Sequence, residues 1–132
     1  MKRIFAVIGA ISGFLSVALG AFGAHGLRTA KADSSLGSDY LLEIWQTATQ
    51  YQMIHTLALF IVVFSLIHLG QSRWTITAGW SFVTGIMIFS GSLYLLVLTE
   101  LTWWGGVTPI GGVMLLVGWM LLGLGWMFSG GN

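Results

Sequence analysis

Four long apolar stretches determine what this chain can fold into. They run over residues 4–24, 53–69, 75–99 and 110–128, with polar or glycine-containing segments between them. A helix needs about 20 predominantly apolar residues to cross a bilayer core about 30 Å thick. Only 7% of the 132 residues are charged and 56% are hydrophobic, whereas about a quarter of an ordinary soluble domain is charged. The sequence therefore predicts an all-α integral membrane protein, a four-transmembrane-helix bundle that forms a single domain over residues 1–132.

The first apolar stretch has two interpretations. Lys2 and Arg3 precede it, and small residues follow near its end in the pattern Ala21-Phe22-Gly23, which would also suit a cleaved signal peptide. The stretch is longer than the apolar region of about 7–15 residues that is typical of such peptides. This length favours a first membrane span.

The few charged residues predict an orientation. With four spans, both termini lie on one side of the membrane, and that side carries Lys2, Arg3 and Arg73 without an acidic residue. The other side carries basic and acidic residues together: Arg28, Lys31, Asp33, Asp39, Glu43 and Glu100. Basic residues are enriched in cytoplasmic loops, and the first helix usually dominates the orientation. We therefore expect both termini in the cytoplasm.

Small residues at regular spacing predict helix-packing faces. In the first span they recur every three or four residues, at Gly9, Gly13, Ser16, Gly20 and Gly23. In the fourth span they recur every seven residues, at Gly111, Gly118 and Gly125. Small residues allow helix backbones to approach closely in lipid, where little hydrophobic force acts between helices. We interpret these faces as intramolecular contacts, and a ligand groove or a homodimer interface is the alternative.

An extra amphipathic helical segment is predicted before the second span. No glycine or proline interrupts residues 38–69, and a helix of that length would extend about 48 Å, beyond the bilayer core. Within residues 38–52, one face carries Leu41, Ile44, Trp45 and Ala48. This segment either lies along the interface or extends the second span outward.

Four polar side chains are predicted near the same membrane face: His25, Gln52, His55 and Glu100. Gln52 and His55 continue the apolar stripe of the second helix, which directs them into the bundle. An ionisable residue that faces a bundle interior is a candidate functional residue. In the alternative, structural interpretation, His25 completes a helix end, while Gln52 and His55 bond to each other or to nearby carbonyl groups.

No motif indicates a catalytic activity. The sequence lacks an HExxH motif, a phosphate-binding loop, a nucleophile elbow and a dinucleotide fingerprint, so we predict no catalytic residues, no enzyme activity and no cofactor. Two imidazoles and a carboxylate can bind zinc or iron(II) where they converge, and the spacing alone leaves the question of a metal open. No basic run is present to neutralise a phosphate backbone, which argues against nucleic acid as a partner.

Four local strings resemble a known family: GAFGAHGL at 20–27, YQMIH at 51–55, FSGSLY at 89–94 and TPIGG at 108–112. In order and spacing, they are similar to the bacterial domain-of-unknown-function 423 family, which has transmembrane protein 256 as its eukaryotic relative. The resemblance implies a small inner-membrane protein with several transmembrane helices and assigns no activity. Besides His25 and His55, it singles out the motif residues Ser90, Ser92, Tyr94 and Pro109.

Two functions of different classes remain open. The first is a non-catalytic membrane protein that binds membrane lipid, or that packs as a homo-oligomer or within a larger membrane complex, and the small-residue faces favour it. The second is a channel or carrier for a small solute, based on Gln52, His55 and the Ser and Thr content of the third span. A metal-dependent enzyme is a third hypothesis.

Overall fold

The structure is a computed structural model that describes residues 1–129. Its elements, in chain order, are α1 (Lys2–Phe22), a π-helix (Gly23–Leu27), α2 (Arg28–Ala30), α3 (Ser38–His68), α4 (Arg73–Thr99) and α5 (Trp104–Ser129). Four helical segments are long and apolar enough to cross a membrane, and the first runs without a break from Lys2 to Ala30. These elements confirm the prediction of an all-α integral membrane protein with four transmembrane helices.

The second span and the amphipathic segment are parts of one helix. α3 has 31 residues, and at 1.5 Å per residue it extends about 46 Å. Its buried face begins in the amphipathic segment with Leu41, Trp45 and Ala48 and continues to Leu66. The segment thus extends the span outward. Gly37 starts the helix with a φ of 87°, a conformation that residues with a Cβ rarely adopt.

α3 lies at the centre of the bundle. α1 packs on one side of it and α4 on another, while α5 packs mainly on α4. α1 meets α4 at Phe5, whose ring lies against Gly79 and Trp80. One apolar core, which includes Phe5, Leu59 and Phe82, joins α1, α3, α4 and α5. The arrangement leaves α1 and α4 side by side, with a gap between them that α3 closes on one side.

The small residues of α1 face α3. A Cβ at Gly9 would lie 3.2 Å from the Phe60 ring, and one at Gly13 would lie 3.5 Å from Thr56. Ser16 is buried, and its hydroxyl donates to the Thr49 carbonyl. Gly20 differs from the prediction, because the position of its Cβ is open. Close contact resumes at Gly23, which meets Trp45 after the chain has entered the π-helix.

A tight seam joins α4 and α5. A Cβ at Gly111 would collide with the backbone of Phe89, and one at Gly118 would lie 2.6 Å from the Phe82 ring. Gly125 approaches Thr75, where a Cβ would lie 2.6 Å from the Thr75 hydroxyl oxygen. We call this contact the seam, formed by Gly111, Gly118 and Gly125 of α5 against α4. Close approach of small residues in lipid is the packing that the sequence pattern predicts.

α5 begins at Trp104, before the predicted start at residue 110. Pro109 therefore lies inside the helix and not at its first position. Proline within a helix lacks an N–H, and its ring crowds the carbonyl four residues earlier, which here belongs to Gly105. Pro109 is the sixth residue of α5, beyond the first four N–H groups that have no intrahelical partner, so the helix lacks the bond that an N–H at this position would donate to Gly105.

Candidate functional site

A groove of about 350 Å³ lies between α1 and α4. Its walls are mainly aliphatic side chains from both helices, among them Ile11, Leu15, Ile86 and Met87. Ile11 is 57% exposed and Met87 is 70% exposed. In a bundle that spans a membrane, such outward apolar side chains contact lipid. The groove therefore opens toward the hydrocarbon of the bilayer.

Four polar side chains line this apolar groove, and we call them the polar floor: Ser12, Gln52, Ser90 and Tyr94. Ser12 comes from α1, Gln52 from α3, and the other two from α4. Ser12, Gln52 and Ser90 are each more than nine-tenths buried. Burying polar groups is unfavourable unless they form hydrogen bonds, so the bonds of the polar floor determine what it can bind.

Gln52 is the centre of the polar floor. Its amide nitrogen donates to the Ser12 carbonyl at 3.1 Å, and its amide oxygen accepts from the Tyr94 hydroxyl at 2.7 Å. Because a carbonyl oxygen only accepts, the amide nitrogen must face Ser12, which fixes the orientation of the amide. One side chain thereby connects α1, α3 and α4. Such a network favours a single arrangement of the three helices.

The two serines of the polar floor also bond within the chain. Ser90 donates to the Ala48 carbonyl at 2.8 Å. Ser12 shares a hydrogen bond of 2.7 Å with Thr56, in which either hydroxyl can donate. Ser12 was not predicted as a site residue. The available signal was a hydroxyl within the apolar stretch of the first span. Ser90 and Tyr94 were found only through the resemblance.

His55 faces a different part of the bundle from the polar floor. Its Nδ1 lies 2.8 Å from the Tyr51 carbonyl, and its Nε2 lies 3.2 Å from the indole nitrogen of Trp119. A carbonyl only accepts and an indole N–H only donates, so Nδ1 carries the proton and Nε2 accepts. His55 is therefore a neutral imidazole with both nitrogens bonded. Sequence reasoning did not identify its partner Trp119, which comes from α5.

His25 and Glu100 do not join Gln52 and His55. His25 is exposed on the π-helix. Glu100 follows α4 and accepts hydrogen bonds from Ser34 at 2.8 Å and from Lys31 at 3.0 Å. These bonds, the one from Ser34 first, lower the pKa of the Glu100 carboxyl. Gln52 and His55 lie deeper in the bundle, so the four candidates share neither a depth nor a site, which corrects the predicted single cluster.

The arrangement of ionisable residues also bears on the question of a metal. Across residues 1–129, no three His, Asp or Glu side chains lie close enough together to hold a metal ion. The two imidazoles and the carboxylate that the sequence offered as ligands are the separated His25, His55 and Glu100. His25 and Glu100 lie beyond the ends of α1 and α4, whereas His55 lies within the bundle beside Trp119.

The π-helix is held by Trp45. The indole nitrogen of Trp45 donates to the Leu19 carbonyl at 2.7 Å, four residues before the π-helix starts. A Cβ on Gly23 would lie 2.5 Å from the Trp45 ring, so a glycine at this position makes room for the indole. Single π-turns inside α-helices are frequent at functional sites. Trp45 also stacks edge-to-face on Tyr94 of the polar floor, with ring centroids 4.7 Å apart.

The remaining motif residues lie on the seam side of the bundle. Ser92 and Thr108 share a hydrogen bond of 2.7 Å that links α4 with α5. Pro109 follows Thr108 and is exposed. The Ser92–Thr108 bond stabilises the contact between the last two helices, and none of these residues lines the groove.

Comparison with known proteins supports the resemblance. A family model described as "Protein of unknown function (DUF423)" matches residues 19–112. The UPF0382 membrane protein YwdK of Bacillus subtilis (strain 168) is 42% identical over 120 residues, which cover 91% of this chain and 93% of that protein. The UPF0382 membrane protein SAB0533 of Staphylococcus aureus (strain bovine RF122 / ET3-1) is 45% identical over 121 residues, which cover 91% of this chain and 92% of that protein. No solved structure matches the chain.

Proposed function

The chain belongs to the DUF423 family of membrane proteins, and we propose that it is a non-catalytic protein that binds a lipid molecule in the groove between α1 and α4. One observation carries this proposal: a groove with apolar walls, open to the bilayer, has buried polar side chains along it. Ligand sites are typically apolar concavities with a few well-placed polar groups.

The length of the groove suits a hydrocarbon tail. Its lining extends from Ile8 to Leu19 on α1 and from Val83 to Tyr94 on α4. At 1.5 Å per residue, each of these segments is about 16 Å long, which is about half of a bilayer core of about 30 Å. A tail that occupies one leaflet would thus fill the groove along its length.

The environment of His55 supports a binding role over transport. A proton or ion pathway through a bundle uses ionisable side chains that can exchange partners, whereas both nitrogens of His55 are bonded to groups of the chain. The polar floor likewise directs its hydrogen bonds inward, to Ser12, Ala48 and Thr56. These contacts favour a structural role for the buried polar groups and a lipid as the partner.

Filling the groove tests the proposal. Gly91 lines the groove, and nothing lies within 4 Å of the position of its Cβ. Gly91→Leu should therefore occupy the groove without disturbing the helices. Gly123→Leu is the matched control, because Gly123 is an exposed glycine of α5 with the same open space, and it does not line the groove.

The measurement is native mass spectrometry of each variant after gentle release from its own membrane. We expect a reproducible bound lipid in the unmodified protein and in Gly123→Leu, and its loss in Gly91→Leu. Equal lipid binding by all three proteins, or none in any, would contradict the proposal. The same spectra report any second copy of the chain or other subunit, and so test the predicted homo-oligomer or larger membrane complex.

We further propose that the protein lies in the bacterial inner membrane with both termini in the cytoplasm. Lys2, Arg3 and Arg73 lie on the terminal side without an acidic residue. On the opposite side, Arg28 pairs with Asp39 and Lys31 pairs with Glu100. The excess of basic residues on the terminal side supports this orientation.

Cysteine labelling tests the orientation, since the sequence contains no cysteine. A membrane-impermeant maleimide should label Ser35→Cys in intact cells. Gln71→Cys, in the exposed loop between α3 and α4, should be labelled only after permeabilisation. The reverse pattern would invert the orientation.

A further inference from the structure

We infer that the molecule bound in the groove presents a hydrogen-bond donor to the polar floor, as the free hydroxyl of a long-chain lipid alcohol does. This inference rests on the proposed function and adds the chemical class of the ligand. It follows from counting which hydrogen-bonding positions of Ser12, Gln52, Ser90 and Tyr94 are already used inside the chain.

The donor hydrogens of Tyr94 and Ser90 are already engaged within the chain. Tyr94 faces the amide oxygen of Gln52, which only accepts, so the tyrosine hydroxyl must donate there. The Ser90 hydroxyl must likewise donate to the Ala48 carbonyl. The amide nitrogen of Gln52 donates to the Ser12 carbonyl and points its second contact, at 3.5 Å, toward the Ser12 hydroxyl.

The Ser12 hydroxyl is also bonded within the chain. It receives the second contact from Gln52 and shares a hydrogen bond of 2.7 Å with Thr56, in which either hydroxyl can donate. The count of engaged donors therefore rests on Tyr94 and Ser90, whose hydroxyl hydrogens both go to oxygens that only accept.

Acceptor positions remain on the same side chains. A hydroxyl oxygen has two acceptor lone pairs, and an amide oxygen also has two. The oxygens of Ser90 and Tyr94 act as donors in the contacts above, so their lone pairs remain. The amide oxygen of Gln52 uses one lone pair for Tyr94 and retains the other.

The excess of free acceptors over free donors determines which lipid-soluble molecules can form a hydrogen bond in the groove. A hydroxyl on an apolar chain can donate to Tyr94, Gln52 or Ser90 while its tail lies along the aliphatic walls. A ketone, an ester or an ether has only acceptor atoms, which would meet the acceptor lone pairs of Tyr94 and Ser90 without a hydrogen bond. Leaving such groups unpaired in an apolar site is unfavourable. The geometry thus points to a lipid alcohol.

A matched pair of photoreactive probes tests this inference in the purified full-length protein in lipid nanodiscs. One probe is a straight-chain long-chain alcohol with a diazirine in the chain, and the other is its methyl ether, which lacks only the donor hydrogen. Peptide mapping after illumination measures how much of each probe attaches to groove residues such as Ile11 and Met87. Gly91→Leu serves as the blocked-groove control.

We expect the alcohol to label the groove roughly three- to tenfold more strongly than the ether, the ratio to which one net hydrogen bond corresponds. Removing two of the acceptor oxygens, in the double variant Ser90→Ala/Tyr94→Phe, should lower this ratio and leave the Gln52 amide oxygen as the remaining acceptor. Equal labelling by both probes in the unmodified protein, blocked by Gly91→Leu, would overturn the inference and leave the proposed function standing. Labelling that Gly91→Leu does not reduce would overturn both.

Discussion

α4 packs against α5 on one side and faces α1 across the groove on the other. On the first side, the glycines of the seam bring the two backbones together, and a Cβ at Gly111 has no space because of Phe89. On the second side, Phe5 of α1 packs against Gly79 of α4, but Gly91 further along α4 has open space around it. Glycines thus border α4 on both sides, and the space is filled at the seam and open at Gly91.

The two sides also differ in their polar contacts. Across the seam, Ser92 bonds directly to Thr108. Across the groove, the hydrogen bonds that the structure describes between α4 and α1 pass through an intermediary, because Tyr94 bonds to Gln52 and Gln52 bonds to Ser12. A direct bond needs contact between helices, whereas the intermediary holds them at a distance. Gln52 therefore both joins the helices and keeps the groove open.

We expect the largest loss of stability from a substitution at the seam between α4 and α5. Gly111→Ala places a methyl group against the Phe89 backbone, and overpacking of this kind costs up to about 3 kcal/mol. Gly91→Ala is the matched substitution on the open side, and we expect it to change the free energy of unfolding by less than about 1 kcal/mol. Unfolding of both variants in detergent measures the difference. Similar destabilisation by the two substitutions would show that the two sides of α4 are not distinct.

The second prediction concerns Gln52, at the centre of the polar floor. Gln52→Met keeps the length of the side chain and removes its hydrogen bonds, so that the buried Ser12 carbonyl and the Tyr94 hydroxyl lose their partner. We expect a loss of about 2 kcal/mol in the free energy of unfolding. Gln50→Met is the control on the same helix, because Gln50 is exposed, and a change within about 0.5 kcal/mol is expected there. A loss at Gln52 no larger than at Gln50 would exclude the intermediary role.

The helices of this fold could be predicted from sequence, but the difference between the two sides could not. A run of about 20 apolar residues marks a span wherever it occurs, so the four spans follow from composition. A small residue indicates that another helix can come close at that position, but it does not indicate which helix. Gly20 and Gly23 belong to one predicted face, yet only Gly23 meets a side chain, because Trp45 of α3 extends to it.

The candidate site illustrates the same limit. Counting from the predicted start of the second span, at residue 53, placed Gln52 and His55 near the same membrane face as His25 and Glu100. α3 begins at Ser38 instead, and its packing against α1 and α4 sets both residues deeper in the bundle. There Gln52 contacts Ser12 and Tyr94, while His55 contacts Trp119. The apolar stripe of α3 predicted correctly that both face the bundle, where they are buried.

The third prediction concerns the hydrogen bond between Trp119 and His55, which lies outside the groove. Trp119→Phe removes the indole N–H that bonds to Nε2 of His55 and keeps an aromatic ring against Phe82. We expect a loss of about 1 kcal/mol in the free energy of unfolding and no change in lipid binding, since Trp119 does not line the groove. Trp103→Phe, at an indole that is 59% exposed, is the control for stability. Reduced lipid binding in Trp119→Phe would show that the groove and the α5 side of the bundle are coupled.

We expect the smallest effect on stability at Glu100, where polar contacts connect the loop after α2 with the end of α4. Glu100 accepts from Ser34 and Lys31, and these bonds lower the pKa of its carboxyl in the folded protein. A group with a lowered folded-state pKa contributes stability above its unfolded pKa and loses that contribution as the pH falls through the folded value. The unfolding temperature of the unmodified protein should therefore fall slightly on acidification below the ordinary range of a carboxyl group.

Glu100→Gln should flatten this dependence at acidic pH, because the substituted amide does not titrate. Asp33→Asn is the control, since Asp33 lies in the same loop and Glu100 takes its bonds from the neighbouring Lys31 and Ser34. The control should keep the acid-dependent fall of the unmodified protein. Because Glu100 is in contact with solvent, salt should weaken the Lys31 contribution. A fall of the same size in Glu100→Gln would assign the acid sensitivity to other carboxyl groups and leave the end of α4 without a titrating contact.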